Sequence, residues 1–160
     1  MSTVTEALLP YWSEFLAATN RSPDTLLYDA FHFCDSEALA TELAELVLAG
    51  TKTGTATLVW DCEDEGIAIP KAGDLSIVLS WDRQPLCVIE DTAVEVTPFN
   101  EVGDAFAASE GEGDRTLRYW REAHSDFFGR ACKRLGRDFE ETAPIVCENF
   151  KVVHFFVDRP

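Results

Sequence analysis

The feature that most constrains this chain is a helix punctuated at both ends and followed at once by a strand. Ser36 stands ready to cap before Glu37, and Leu39, Leu43, Leu46 and Val47 recur at helical spacing. Gly50 then supplies the stop, because glycine adopts the left-handed conformation without steric cost. Residues 55–60, rich in β-branched side chains, read as a strand. The seven residues between, Ala49-Gly50-Thr51-Lys52-Thr53-Gly54-Thr55, form a tight loop at a helix–strand junction.

The remaining elements fall into place around that junction. Residues 5–18 put Leu8, Leu9, Trp12, Phe15 and Leu16 on one helical stripe, with Pro10 marking where the regular part begins. Residues 28–33 (YDAFHF) read as a strand, 62–66 (CEDEG) as an acidic turn, and 75–81 as a buried strand. Asp82, Arg83 and Gln84 close a hairpin onto a long strand over 86–96, where Val88, Glu90, Thr92, Val94 and Val96 alternate with their neighbours. A short helix is expected within 100–108. A long helix follows, capped by Asp114 and ended by Gly136, with Leu117, Trp120, His124, Phe127, Phe128, Ala131 and Leu135 facing inward. A last strand covers 145–157. About five strands with long hairpins and separate helices define an α+β fold, a small curved sheet or partly closed barrel flanked by helices.

One domain over 1–160 is expected at this length, with no repeat or linker, and 1–25 form a helical extension to a core over 26–157. No stretch approaches the roughly 20 apolar residues of a membrane span, and no secretory signal is recognisable, so the cytoplasm is the expected compartment and no membrane partner is expected. The five cysteines (Cys34, Cys62, Cys87, Cys132, Cys147) are odd in number and lack a CxxC pair, which argues against a disulfide framework and a structural zinc site. His32 and Cys34 read as a core pair, and His124 as a partly buried core histidine. No metal or other cofactor is expected.

The chain carries 13 basic and 29 acidic residues, a net charge of −16. Long duplex nucleic acid is held through many Lys/Arg–phosphate contacts, which such a chain cannot offer on a broad face. Any nucleic-acid function must use a local pocket, a short single strand or a free nucleoside. Solubility alone is the plain alternative reading of the charge.

Two loops concentrate polar chemistry. In 50–55, two glycines allow sharp turns and three hydroxyls and one ammonium converge within five positions, which suits a carbonyl or phosphate oxygen. An ordinary Gly-capped helix with a surface loop explains the same composition equally well. In Glu110-Gly111-Glu112-Gly113-Asp114, glycines on both sides of Glu112 let a carboxylate approach a partner closely; a flexible acidic loop capping the next helix is the alternative.

Taken together, these segments resemble the ASCH family. The resemblance is carried by Leu48-Ala49-Gly50-Thr51-Lys52-Thr53-Gly54-Thr55 after an amphipathic helix and by Lys71-Ala72-Gly73-Asp74 before a strand. It continues in the 110–114 run with Leu117, Trp120, Arg121, His124, Phe127 and Phe128, and in the terminal Phe150-Lys151-Val152. It covers roughly residues 28 to 157 and is similar to the longer bacterial branch.

The resemblance implies a PUA-like fold, with a cleft beside the Gly-x-Lys loop and RNA or nucleoside ligands. A small branch of the family consists of acetylcytidine amidohydrolases; some longer members are single-strand ribonucleases. Carried over, the catalytic residues are Lys52, Thr55 and Glu112, with Glu110 as the second choice of glutamate. Gly50, Thr51, Thr53, Gly54, Lys71, Glu110 and Arg121 become binding candidates. Thr57 stands where the small branch has an arginine, the acidic loop lies further along, and an N-terminal helix is added.

The expected function is therefore a small metal-independent hydrolase of a modified nucleoside or RNA-derived ligand. Single-stranded RNA cleavage and non-catalytic RNA or nucleotide binding are the alternatives. In the hydrolase, a neutral Lys52 takes a proton from Thr55 and a protonated Glu112 donates to the departing nitrogen. A basic rim of Arg115, Arg118, Arg121 and Lys71 favours RNA; an enclosed acidic pocket favours a nucleoside.

Overall fold

A computed structural model describes residues 4–156. Its strands form one five-stranded sheet in the order β1-β3-β4-β5-β2: β1 (Asp29–Phe31), β2 (Gly54–Leu58), β3 (Leu75–Leu79), β4 (Pro85–Pro98) and β5 (Pro144–Phe155). β1 runs parallel to β3, and every other pairing is antiparallel. The mixed sheet curls into a half-barrel flanked by helices, as the strand-rich pattern anticipates. The register of β4 shifts at Val88/Ile89 and Asp91/Ala93, and such bulges sharpen local bend and twist.

Three apolar clusters hold the helices on the sheet. Trp12, Phe15 and Leu16 of α1 (Leu9–Ala18) pack on Leu75, Ile77, Leu79 and Val88. Leu43 and Val47 of α2 (Glu37–Leu48) cover Val78, Cys87, Ile89 and Phe150. The long helix Leu117–Arg134, α5 in chain order after α3 (Val59–Glu65) and α4 (Asp104–Ser109), buries Trp120, Phe128, Ala131 and Cys132 against Leu58, Phe99 and Ile145. Helices cover both sides of β3 and the first half of β4, which explains why the expected alternation along β4 fails there: Cys87, Val88 and Ile89 are consecutively buried.

Several boundaries differ from the sequence expectation for local reasons. The acidic turn at 62–66 is the second half of α3, which ends at left-handed Gly66. Burying Cys62 favours this helix over a strand continuing to residue 60. The cap of α5 is Thr116, whose hydroxyl accepts from Tyr119 N; Asp114 instead accepts from the Thr116 amide and hydroxyl. β1 stops at Phe31, so His32 and Cys34 lie beyond the strand. They are half-buried rather than core, with His32 against the Trp81 ring and Cys34 at a positive φ of 59°. Leu9 and Leu39, placed on inner stripes, are 47% and 40% exposed. Val157, the expected end of the last strand, lies outside the described residues. No helix is long and apolar enough to cross a membrane among the described residues.

Candidate functional site

The loop after α2 leaves the helix through Gly50, and the amides of Thr51 and Lys52 both donate to Leu46 O. This fold-back turns the Lys52 side chain inward, where it is 2% exposed. Thr53 ties the loop to its surroundings: its amide and hydroxyl donate to Ser109 O, and its carbonyl accepts from Phe150 N. Gly54 then begins β2 in a tight space, since a Cβ there would lie 2.6 Å from Ser109 Oγ and would force that side chain to shift.

The 110–114 loop closes over Lys52 from the other side. Lys52 Nζ donates to Glu110 Oε1 at 2.9 Å, to Glu112 Oε2 at 3.0 Å and more weakly to Glu110 O at 3.5 Å. Glu110 Oε2 accepts from Trp120 Nε1 and lies 3.0 Å from His124 Nε2, while His124 Nδ1 faces Trp120 O at 2.9 Å. A carbonyl and a carboxylate both require donors, so this geometry holds His124 as an imidazolium. Burial alone would pull the His124 pKa down, but the Glu110 carboxylate outweighs it and the net direction is up.

The same competition sets the other groups. Burial disfavours charged Lys52, yet Glu110 and Glu112 together raise its pKa. The neutral lysine of the sequence-based mechanism is thus replaced by a firmly held ammonium. Burial opposes ionised Glu110, but Lys52 and His124 depress its pKa far below the usual range. For Glu112 burial prevails over the attraction of Lys52, with Glu110 adding repulsion, and its pKa rises.

The two glutamates therefore differ in kind. Glu110 is 2% exposed with both oxygens committed, whereas the side chain of Glu112 is 19% exposed and pairs with Lys52 through one oxygen. Glu112 is the partner that can release Lys52 to another oxygen.

Gly111 makes the closure possible. Its φ is +70°, and an added Cβ would lie 2.5 Å from Thr51 O. Gly111→Ala is expected to lower stability by more than the ~1–2 kcal/mol of left-handed strain alone, because the loop must also move off Thr51. Gly136→Ala is the control, with a similar φ of +71° and open space around it. Urea denaturation of both variants checks the order; equal losses would mean that the close approach costs nothing.

This cluster forms one wall of a cleft of about 500 Å³ between α2, β2, α3 and α5. Lys52, Thr55, Glu110, Glu112 and His124 all line it, with Phe33 and Phe127 offering apolar faces. Lys71 and Arg121 are absent from its wall: exposed Lys71 pairs with Asp74, and Arg121 donates to Asn100 O and Val102 O. Arg115 and Arg118 are likewise absent, so none of the four basic side chains expected at an RNA-binding rim lines the cleft. Among the described residues, seven carboxyl side chains line the cleft, against Lys52 and Arg130 as its only lysine and arginine. Glu110, Glu112 and His124 bring ligand atoms within 4.8 Å of one another, a set that could hold a metal ion, but Lys52 Nζ already sits between the two carboxylates as their cation.

His124 is the member that sequence reasoning set aside. Its burial is as expected, but its ring bonds an ion-paired carboxylate, and the only signal was its one-turn spacing from Trp120. A second missed group is Glu148, directly across from Thr55 in the β2–β5 register.

The curled mixed half-barrel with flanking helices has the ASCH/PUA-like fold. Residues 29–154 match the ASCH domain, and the chain belongs to that family. The crystal structure of an ASCH domain from Lactobacillus crispatus JV V101 is 36% identical, with a TM-score of 0.85, over 96% of this chain and 98% of that one. A protein from Enterococcus faecalis V583 is 34% identical, also with a TM-score of 0.85, over 92% and 88% of the two chains. No curated protein gives a match.

Proposed function

We propose that this chain is a small hydrolase that removes an acyl group from a modified nucleoside bound in the Lys52 cleft. The observation that carries the reading is the cleft's combination of size and charge. About 500 Å³ suits a single nucleoside, and a wall rich in carboxyls repels a polyphosphate chain. Lys52, Thr55 and Glu112 are the proposed catalytic groups. Glu110 and His124 hold Lys52 in place, and Thr53 and Gly54 shape the loop. The Lys52 ammonium takes the place that a metal cation would need.

In the proposed reaction the acyl oxygen displaces Glu112 from Lys52, whose ammonium then stabilises the developing oxyanion. Thr55 Oγ attacks the carbonyl carbon and its proton passes to Glu112. The C–N bond breaks as Glu112 returns that proton to the leaving nitrogen. Water then hydrolyses the threonyl ester, with Glu112 again taking and returning a proton. The five free cysteines, four of them buried, accord with a reducing compartment such as the cytoplasm.

The test is incubation of pure protein with N4-acylated cytidines and, separately, with single-stranded RNA, following products by chromatography. Release of cytidine with intact RNA is expected. RNA fragments without nucleoside deacylation would replace this reading with the ribonuclease one.

A further inference from the structure

The 110–116 segment that carries Glu112 is fastened on one side by charge and on the other by an aromatic ring. On the near side, Glu110 is held by Lys52, Trp120 and His124, and Gly111 lies against Thr51. On the far side, Gly113 meets Tyr119 in the first turn of α5. A Cβ added to Gly113 would lie 2.5 Å from both Cε atoms of that ring. Equal distances to the two atoms set the ring's face, not its edge, against the bare side of the glycine. Glu112 is thus clamped between two glycines, each too closely covered to carry a side chain.

The bonds beyond Glu112 are local. Gly113 and Arg115 are left-handed, with φ of 57° and 66°. The Arg115 amide donates to Glu112 O, the Thr116 amide and hydroxyl donate to Asp114, and the Tyr119 amide donates to Thr116 Oγ. These bonds shape the segment and start α5. The Tyr119–Gly113 contact, one residue from Glu112, presses it toward Lys52.

Tyr119 also stands at the cleft wall and is 40% exposed. Its hydroxyl makes no hydrogen bond among the described residues. Burial, then the carboxylates of Glu112, Glu42 of α2 and Asp114, raises the phenol's pKa, so the group stays neutral. What the fold uses is therefore the ring.

We infer that Tyr119 is a positioning residue: its ring holds the segment down at Gly113, so that Glu112 leaves and regains Lys52 by rotating its side chain, not by lifting the loop. With the ring gone, a left-handed glycine beside Glu112 is free to move, and the carboxyl loses its aim. The importance of that aim for turnover rests on the reaction proposed above. The pairing itself exists without a substrate and is read separately.

The experiment compares wild type, Tyr119→Phe and Tyr119→Ala by ¹³C titration of the Glu110 and Glu112 carboxyls. Burial raises the Glu112 pKa against the pull of Lys52 and His124, with Glu110 adding repulsion. In Tyr119→Ala, Glu112 should gain solvent and titrate lower, toward the ordinary value of 4.5, while Glu110 keeps its depressed value. A merely structural role would move both carboxyls together. Tyr119→Phe keeps the ring and should match wild type. Gly113→Ala approaches the contact from the other side and should reproduce the Tyr119→Ala titration, whereas Gly136→Ala, left-handed in open space, should not. In deacylation, Tyr119→Ala should lose about 10–10²-fold in kcat with KM little changed, as a misplaced catalytic group does.

An unmoved Glu112 titration in Tyr119→Ala overturns the inference, as does a joint shift of both carboxyls. A Tyr119→Phe variant as altered as Tyr119→Ala overturns it too, because the hydroxyl would then be the working part. If the titrations behave as expected and no acyl-nucleoside is cleaved, Tyr119 still positions Glu112 and only the deacylation reading falls.

Discussion

Glu110→Ala is expected to be the most destabilising single substitution in the cleft, costing roughly 3–5 kcal/mol as the removal of one partner from a buried ion pair does. The side chain is 2% exposed and joins Lys52, Trp120 and His124. Without it, His124 loses its carboxylate and Lys52 keeps Glu112 alone. The denaturation midpoint in urea should fall with little change in slope. Glu110→Gln retains the shape and one acceptor, and should cost less.

The pH dependence follows the same geometry. The folded pKa of Glu110 is depressed, so its contribution is full above the unfolded value of about 4.5 and is lost as pH falls toward the folded value. His124 is raised, so its contribution is full below its ordinary value of about 6.5 and is lost as pH climbs through the folded one. Stability in Glu110→Ala should lose both dependences. A variant as stable as wild type would mean that the cluster is not charged.

The second large effect is on chemistry. Lys52→Met is expected to reduce deacylation of the best acyl-nucleoside by at least 10²-fold, comparable to the removal of one oxyanion donor. Methionine fills similar space, Glu112 can turn to solvent and Glu110 keeps Trp120 and His124, so the fold should survive at reduced stability. Its circular dichroism should match wild type. Thr55→Ser should keep part of the activity and Thr55→Ala should not, because only serine retains the hydroxyl nucleophile. Near-wild-type turnover in Lys52→Met would remove the loop from the reaction.

How much of this was legible beforehand depended on how local each signal is. Ser36 and Gly50 punctuate α2 through side-chain and backbone chemistry of their own, and both act as expected. The glycines flanking Glu112 similarly announced a close approach, realised at Gly111 against Thr51. The half-barrel followed from strands joined without repeated helical crossovers.

Less local features were hidden. α3 has only seven residues, and one buried cysteine decides its form. His124 on an apolar helix face has the same pattern whether it packs or pairs, and Glu110, fourteen positions away, determines which. Glu148 looks like an ordinary strand residue until the sheet register sets it across from Thr55. Lys52 and Thr55 share the cleft because Lys52 precedes the strand and the fold-back onto Leu46 turns it inward.

A cleft built for one small uncharged nucleoside is probed by calorimetric titration of the wild-type protein with cytidine, cytidine 5′-monophosphate and a short single-stranded RNA. Cytidine is expected to bind, its 5′-phosphate to weaken binding against the acidic wall, and added salt to narrow the difference by screening that repulsion. Tight, salt-sensitive binding of the RNA with no binding of cytidine would sink the nucleoside reading.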